Sequence, residues 1–356
     1  MIGRMLLGCG ADCLRNLAIL GLMLCVEAAA QPPTVADTNR TAVSKKGSLL
    51  VFSNVELEFS PVNVSGLGWS LAKDTVISLT NDYPGEVYVQ MYFINGDPEL
   101  DPVFSGGPLP TLITEGEPGW NWVDCMVPLT PDQSVYWSAA TGSPVGCQPF
   151  TILDPDLGSG PGRPSPDLVA GPRVLRGFII AWAVDAFGNQ VHWNHLSGKG
   201  TIVDYAHMAA WEYGPWAFQA LTGAHGQPLA DPGALELNGI EYDNAFDMLL
   251  FDFFGAGSTA FTHNGQSVSV DTDLTLHPVS ADLRQDSFGP ITTKAHFDIW
   301  NMNERKLSNT ERCVTCWDQT LLSNYNAPNS MLVGNLKSDK GKARIDGQLS
   351  TRCEEN

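Results

Sequence analysis

The segment Leu175–Tyr205 (LRGFIIAWAVDAFGNQVHWNHLSGKGTIVDY) decides the fold class. Its run Phe178–Val184 is short, apolar and rich in β-branched and aromatic residues, which predicts a strand buried on both faces. The following residues, Asp185–Asn189, contain a Gly-Asn pair that accepts a positive φ at low cost, so the chain is expected to reverse there. Gln190–Leu196 alternates apolar and polar residues, as a paired strand does. We therefore expect a hairpin here.

Composition favours the same class of fold. The chain of 356 residues has 35 glycines and 24 prolines but only 17% charged residues, a balance that favours short strands and turns over charged helices. The length suits about two domains of roughly 150 residues each. We expect an all-β protein made of two β-sandwich-like domains, with long Pro/Gly-rich loops and one or two short helices.

The expected domain boundary is the stretch 154–172, which contains five prolines and four glycines and so suits neither a helix nor an interior strand. It would separate an N-terminal β domain, 47–153, from a C-terminal β domain, 173–356. Residues 31–46 are polar and without period, which predicts a flexible lead-in. The alternative is that 154–172 is a long ordered loop within one sandwich.

Further elements follow from local patterns. The dipeptides Asn238-Gly239 and Asn264-Gly265 lie between apolar-patterned flanks and predict hairpins. The remaining predictions are a hairpin over 75–94, helices over 205–221 and 311–325, and strands over 274–276, 294–300, 331–336 and 343–345.

The first thirty residues predict export. Arg4 and Arg15 precede the apolar run Leu17–Val26, and Ala28–Ala30 follow, which is the order of a secretory signal peptide over 1–30, cleaved before Gln31. The apolar run is too short to cross a bilayer, which needs about 20 residues, and no later run is long enough. An uncleaved amphipathic start is the alternative. We expect an exported protein, periplasmic, extracellular or on the cell surface.

The net charge of −19 disfavours nucleic acid as a partner, because binding to phosphates depends on Lys and Arg. Anionic membranes are disfavoured for the same reason. The sequence gives no indication of the oligomeric state.

Five of the eight cysteines follow the predicted signal peptide. Disulfides are the default in an oxidising compartment, and Cys125 and Cys147 are natural partners within the first domain. Cys353 is expected to pair with Cys313 or Cys316, which leaves one thiol over. The spacing of Cys313 and Cys316 is also that of a redox pair, but no βαβ pattern surrounds it.

Candidate metal ligands are acidic residues in loops. Carboxylates that alternate before Pro or Gly turns offer the oxygen ligands that calcium prefers, although the twelve-residue helix-loop-helix calcium pattern is absent. The alternative is that these acids are simply solvated. The candidates are Asp97, Glu99, Asp101, Asp154 and Asp156.

The chain has ten tryptophans, and some of them could stack against sugar rings. Trp211 and Trp216 flank the Gly214-Pro215 break and, together with Trp193 of the central hairpin, are the candidate ligand-binding residues. Packing in the core is the alternative for each.

No catalytic motif is present: neither the nucleophile elbow nor the HExxH zinc motif occurs, and no cofactor is indicated. We expect an exported, non-catalytic protein of the cell envelope or surface that binds a glycan or another protein. The alternative is a secreted, glycosidase-like hydrolase that uses loop carboxylates. A deep pocket lined by acids or a histidine would favour the enzyme, whereas a shallow aromatic face would favour binding.

Overall fold

Within the described residues, the secondary structure is almost entirely antiparallel β. A computed structural model describes residues 45–62, 69–96, 122–148, 173–230, 235–246, 248–278, 283, 292–307, 310–315, 317–325 and 329–349. The strands within these ranges are β1 (Leu49–Pro61), β2 (Trp69–Asn81), β3 (Val87–Asn95), β4 (Trp122–Leu129), β5 (Ser134–Ser138), β6 (Arg173–Val184), β7 (Leu196–Asp204), β8 (Ala209–Tyr213), β9 (Trp216–Phe218), β10 (Met248–Phe254), β11 (Ser258–His263), β12 (Gln266–Val270), β13 (Asp273–Leu276), β14 (Thr292–Asn301), β15 (Thr310–Thr315), β16 (Asp318–Leu321) and β17 (Lys340–Leu349).

The largest sheet has nine strands and is curled. Its main path runs β4-β3-β6-β1-β2-β7-β8, while β5 adds to β2 and β9 adds to β1. β6 lies between β1 and β3 and pairs with both along most of its length. A bulge between Phe52 and Val55 interrupts the pairing of β1 with β6.

The central strands are buried on both faces, as the apolar run Phe178–Val184 predicts. Ile179, Ala181 and Ala183 of β6 face one core, which the curled sheet encloses. Phe178, Ile180, Trp182 and Val184 face a second core. That second core also takes in residues after β9, including Leu235 and Tyr242. Complete removal of such side chains from water is the main term that stabilises the sheet.

A separate sheet of four strands, in the order β10-β17-β14-β15, forms the later part of the chain. Its core includes Phe253, Phe297 and Leu336. A short 3-10 helix, Leu322–Asn324, and the single-turn helix α1, Val333–Leu336, contribute to that core. The hairpin β11–β12 and the pair β13–β16 are small additional sheets.

The central segment folds as predicted up to its turn but not beyond it. Asp185 Oδ1 accepts hydrogen bonds from the backbone N–H groups of Phe187 and Asn189, and Gly188 has a φ of 83°. The predicted second strand over Gln190–Leu196 is wrong: it is reduced to bridges at Gln190 and Val191, and β7 begins only at Leu196. Local alternation predicts a strand but does not reveal that the polar side chains of this segment bond to neighbouring loops.

The helices predicted over 205–221 and 311–325 are wrong as well, because both segments consist mainly of strands and turns. Residues 205–221 form the turn after β7 and then β8 and β9, while 311–325 contain β15, β16 and the 3-10 helix. Conversely, the predicted strand over 331–336 contains helix α1. Pairing with neighbouring strands overrides local preference in short segments. The hairpin at Asn264-Gly265 is confirmed, with φ of 50° and 78° at its two turn residues.

The sheets do not divide at 154–172, a stretch that itself lies outside the described residues. β6, β7 and β9, which follow the stretch, pair with β1, β2 and β3, which precede it. The pairing of strands changes from one sheet to the other between β9 and β10. Long-range antiparallel pairing of this kind is not visible in local composition.

No helix within the described ranges is long and apolar enough to cross a membrane. The predicted signal peptide 1–30, and the lead-in 31–46 up to residue 44, lie outside those ranges.

Candidate functional site

The three tryptophans predicted to bind ligand lie in different environments. Trp193 is 6% exposed and belongs to the first core, and its indole N–H donates to Asn81 Oδ1 over 3.0 Å. Trp216 is half-buried against the second core, with its ring 4.7 Å from that of Phe246. Trp211 on β8 is 41% exposed. The three side chains therefore do not present one shared aromatic face.

The loop acids predicted as calcium ligands, Asp97, Glu99, Asp101, Asp154 and Asp156, all lie outside the described residues. Across the part of the chain that the structure describes, no group of three or more His, Cys, Asp or Glu side chains is arranged to hold a metal ion. The calcium site stays a prediction.

The disulfide predicted between Cys125 and Cys147 is confirmed. The two Cα atoms are 5.9 Å apart, inside the range of about 4.4–6.8 Å that the bond requires. Cys313 on β15 is disulfide-bonded as well. Cys316 and Cys353 lie outside the described residues.

A groove of about 490 Å³ crosses the outer face of strands β5, β2, β7 and β8, and we call this surface the hydroxyl face. This volume is comparable to that of small-molecule sites, which span about 300–1,000 Å³. The groove is lined by Val76, Ser78, Thr80, Tyr136, Ser197, Gly198, Lys199, Thr201 and Glu212.

Strand register arranges these side chains in rows. Ser78 pairs with Tyr136 on one side and with Lys199 on the other. Thr80 likewise pairs with Ser134 and Ser197. Neighbouring strands lie about 4.8 Å apart, and side chains two residues apart on one strand are about 6.8 Å apart. The hydroxyl face is therefore a regular grid in which serine and threonine hydroxyls alternate with larger side chains such as Tyr136 and Lys199.

Alternation along each strand explains why these residues face solvent. Ile77 and Leu79 of β2, and Val135 and Trp137 of β5, belong to the first core. Successive side chains of a strand point to opposite faces, so the intervening residues of β2 and β5 point outward. Buried apolar side chains of the first core therefore lie directly beneath the hydroxyl face at β2 and β5.

Hydrogen bonds and one ion pair hold the grid. The hydroxyls of Thr80 and Ser134 are 2.8 Å apart and hydrogen-bonded, and the Ser78 hydroxyl accepts from the backbone N–H of Lys199 over 3.0 Å. Lys199 Nζ lies 3.3 Å from Glu212 Oε2, and both side chains are mostly exposed. An exposed pair of this kind contributes roughly 0–1 kcal/mol to stability, so both charges remain available to a ligand at little cost.

Tyr136 is the most prominent side chain of the grid. It is 69% exposed, and within the described residues its ring contacts no other aromatic ring and its hydroxyl has no hydrogen-bond partner. Its neighbour across the pair with β2 is only a serine, Ser78. The ring is therefore free to stack against a ligand without prior rearrangement.

Sequence reasoning missed this surface. The segments TVISLT and SVYWS alternate apolar residues with hydroxyl-bearing ones, which is the signal that could have revealed an outer polar face. What the sequence does not show is that β5 and β7 both flank β2, because these strands are separated by long stretches of chain.

A buried acid, Glu56, is the strongest alternative site among the described residues. It is 6% exposed, and its carboxylate accepts from Lys73 Nζ over 2.8 Å, Gln319 Nε2 over 2.9 Å and Asn54 Nδ2 over 3.1 Å. The same Gln319 amide also donates to Asp273 Oδ2 over 2.7 Å. Three donors already occupy the carboxylate, which suits a structural link between β1 and β16 better than proton transfer to a substrate.

No protein-family model matches the chain, and neither a curated protein sequence nor a solved structure matches it at a significant level. The class of the protein therefore follows from the fold alone: it is an all-β protein with antiparallel, β-sandwich-like sheets.

Proposed function

We propose that the chain is an exported glycan-binding module of the cell surface or envelope, and that the hydroxyl face is its binding surface. The observation that carries this proposal is the exposed ring of Tyr136 on a grid of serine and threonine hydroxyls. An aromatic face matches the apolar face of a pyranose, and hydroxyl side chains both donate to and accept from sugar hydroxyls.

The shape of the surface favours binding over hydrolysis. The groove lies on an exposed sheet face, and the acid that contributes to it, Glu212, is paired with Lys199. A two-carboxylate glycosidase requires two acids that flank the bond to be cleaved. Glu212 is the single carboxylate among the side chains that line the groove.

Export is supported by the signal-like N-terminus and by the cysteine chemistry. The Cys125–Cys147 disulfide is of the kind that persists in oxidising compartments and is rare in the cytosol.

The test is an array of immobilised neutral and acidic oligosaccharides probed with the mature protein, followed by titration with the best-bound sugar. Tyr136→Ala is expected to weaken the affinity about tenfold or more, equivalent to about 1.4 kcal/mol, because the stacking surface is lost. Ser78→Val is expected to weaken the affinity as well, because this substitution removes the hydroxyl that lies between Tyr136 and Lys199.

The matched control is Tyr205→Ala, which removes an equally large ring that is 50% exposed in the turn after β7 and is not among the side chains that line the groove. Equal losses in the two variants, or no bound sugar at all, would contradict the proposal. Cleavage of a bound oligosaccharide during the titration would favour the hydrolase instead.

A further inference from the structure

Three loops meet at the end of the large sheet where β2 ends and β7 begins. The turn after β2 contains Asp82 and Tyr83, the segment before β7 contains His195, and a third loop contains His225. Backbone hydrogen bonds tie the loops together: Asp82 N–H donates to the His195 carbonyl, and Gly226 N–H donates to the carbonyl of His192. The loops that carry His195 and His225 are therefore held by backbone hydrogen bonds and not only by side-chain packing.

Aromatic contacts orient the two imidazoles. The Tyr83 ring lies 4.6 Å from the His195 ring and 4.2 Å from the His225 ring, and Trp193 stacks on His225 at 4.7 Å. The imidazoles of His195 and His225 are 5.1 Å apart, centroid to centroid, and are perpendicular at 89°.

The ring nitrogens of these two histidines are largely uncommitted. His195 Nδ1 lies 3.3 Å from Asp82 Oδ1, which leaves its Nε2 without a partner among the described residues. The His225 ring has no hydrogen-bond partner in the same part of the chain, and its side chain is exposed. His192, in contrast, uses both nitrogens, on the Thr222 carbonyl and on Asn194.

We propose that His195 and His225 form a two-histidine site for a divalent transition metal such as Cu²⁺, Ni²⁺ or Zn²⁺. Imidazole is a preferred ligand of these ions. With metal–nitrogen distances of about 2.0–2.1 Å and tetrahedral angles, the centroids of two bound imidazoles lie roughly 5 Å apart, which is the separation seen here. Water completes the coordination.

Asp82 acts as a positioning residue in this site. A carboxylate on the second nitrogen of a ligating histidine fixes its tautomer and makes it a better ligand, and its loss typically weakens metal affinity about 10–100-fold. Lys46 also pairs with Asp82, so the carboxylate is shared between an ammonium group and an imidazole.

The site is distinct from the grid that carries the proposed function. Asn81 and Leu196 form the last pair between β2 and β7. The metal site begins one residue beyond this pair, at Asp82, which follows Asn81, and at His195, which precedes Leu196. Metal titration uses no glycan, so failure of either proposal leaves the other intact.

The experiment titrates the untagged mature protein with CuCl₂ and ZnCl₂ at pH 7.5, by calorimetry and by tryptophan fluorescence. One equivalent of copper is expected to bind and to quench part of the fluorescence, because Trp193 stacks on His225. His195→Ala and His225→Ala are each expected to weaken binding at least tenfold, and Asp82→Asn to weaken it with the stoichiometry unchanged.

His263→Ala is the control, since His263 is an exposed histidine on the separate hairpin β11–β12. Thermal melting of each variant without metal checks folding, and His225→Gln serves if His225→Ala is unstable. Absence of binding, or binding that survives both histidine substitutions, would overturn the proposal.

Discussion

Glu56 shows how a single buried charge is kept ionised. Burial alone would raise the pKa of its carboxyl, but hydrogen bonds from Lys73, Gln319 and Asn54 and the charge of Lys73 together lower the pKa below its usual value. A carboxyl whose pKa is lower in the folded state stabilises the fold above its unfolded pKa. That stability is lost as the pH falls through the folded pKa.

We expect Glu56→Gln to lower the melting temperature at pH 7 and to flatten the dependence of melting on pH below about 4.5, the region where an unperturbed glutamate titrates. The measurement is thermal unfolding between pH 2.5 and 7 for the wild type and the variant.

Glu58→Gln is the control, because Glu58 is on the same strand and has no hydrogen-bond partner among the described residues. If the melting temperature of Glu56→Gln depends on pH in the same way as that of the wild type and of Glu58→Gln, then Glu56 is not a source of the acid sensitivity.

At the level of single elements, Gly177 explains how β6 can pair closely with β1 on one side and β3 on the other. It pairs with Val55 of β1 at the bulge and with Asn95 of β3. A Cβ atom at this position would lie 2.0 Å from the Ile94 carbonyl oxygen, which is backbone and cannot rotate away. The absence of a side chain thus permits the close approach of three strands.

Gly177→Ala is expected to cost about 1–3 kcal/mol in the free energy of unfolding, because overpacking forces the backbone to shift. Urea denaturation measures the change.

Gly334→Ala in α1 is the matched control, since a Cβ there meets no atom within 4 Å. It is expected to be neutral or slightly stabilising. A Gly177→Ala variant as stable as the control would show that β3 and β6 are less closely packed than described.

Elements were predictable from sequence where the signal was local. The buried strand at Phe178–Val184, the turn at Asp185–Asn189 and the hairpin at Asn264-Gly265 each depend on residues next to one another. The strands at 209–218 and 310–321 were missed because tertiary pairing decides them. The hydroxyl face was missed for the same reason: Tyr136 and Lys199 become neighbours only through Ser78.

For the whole molecule, the order of strands determines what can fold alone. β6 occupies the position between β1 and β3, while β7 covers β2. A fragment that ends before residue 154 would therefore leave the edges of β1, β2 and β3 without these partners. It would also expose the side chains of β1 that face both cores. Unpaired apolar edges of this kind favour aggregation.

Fragments 31–153 and 173–356 are accordingly expected to be insoluble or unfolded when expressed separately and to form a folded complex when expressed together. A chain cut at a protease site inserted near Arg163 should elute as one species under native conditions and separate in urea. It should also unfold in a transition that includes both parts, because the nine-stranded sheet contains strands from each. Size-exclusion chromatography and circular dichroism provide the readouts, with the uncut chain as the control. Two separate species that each unfold cooperatively would instead support a boundary at 154–172, and would contradict the strand order described for the sheet.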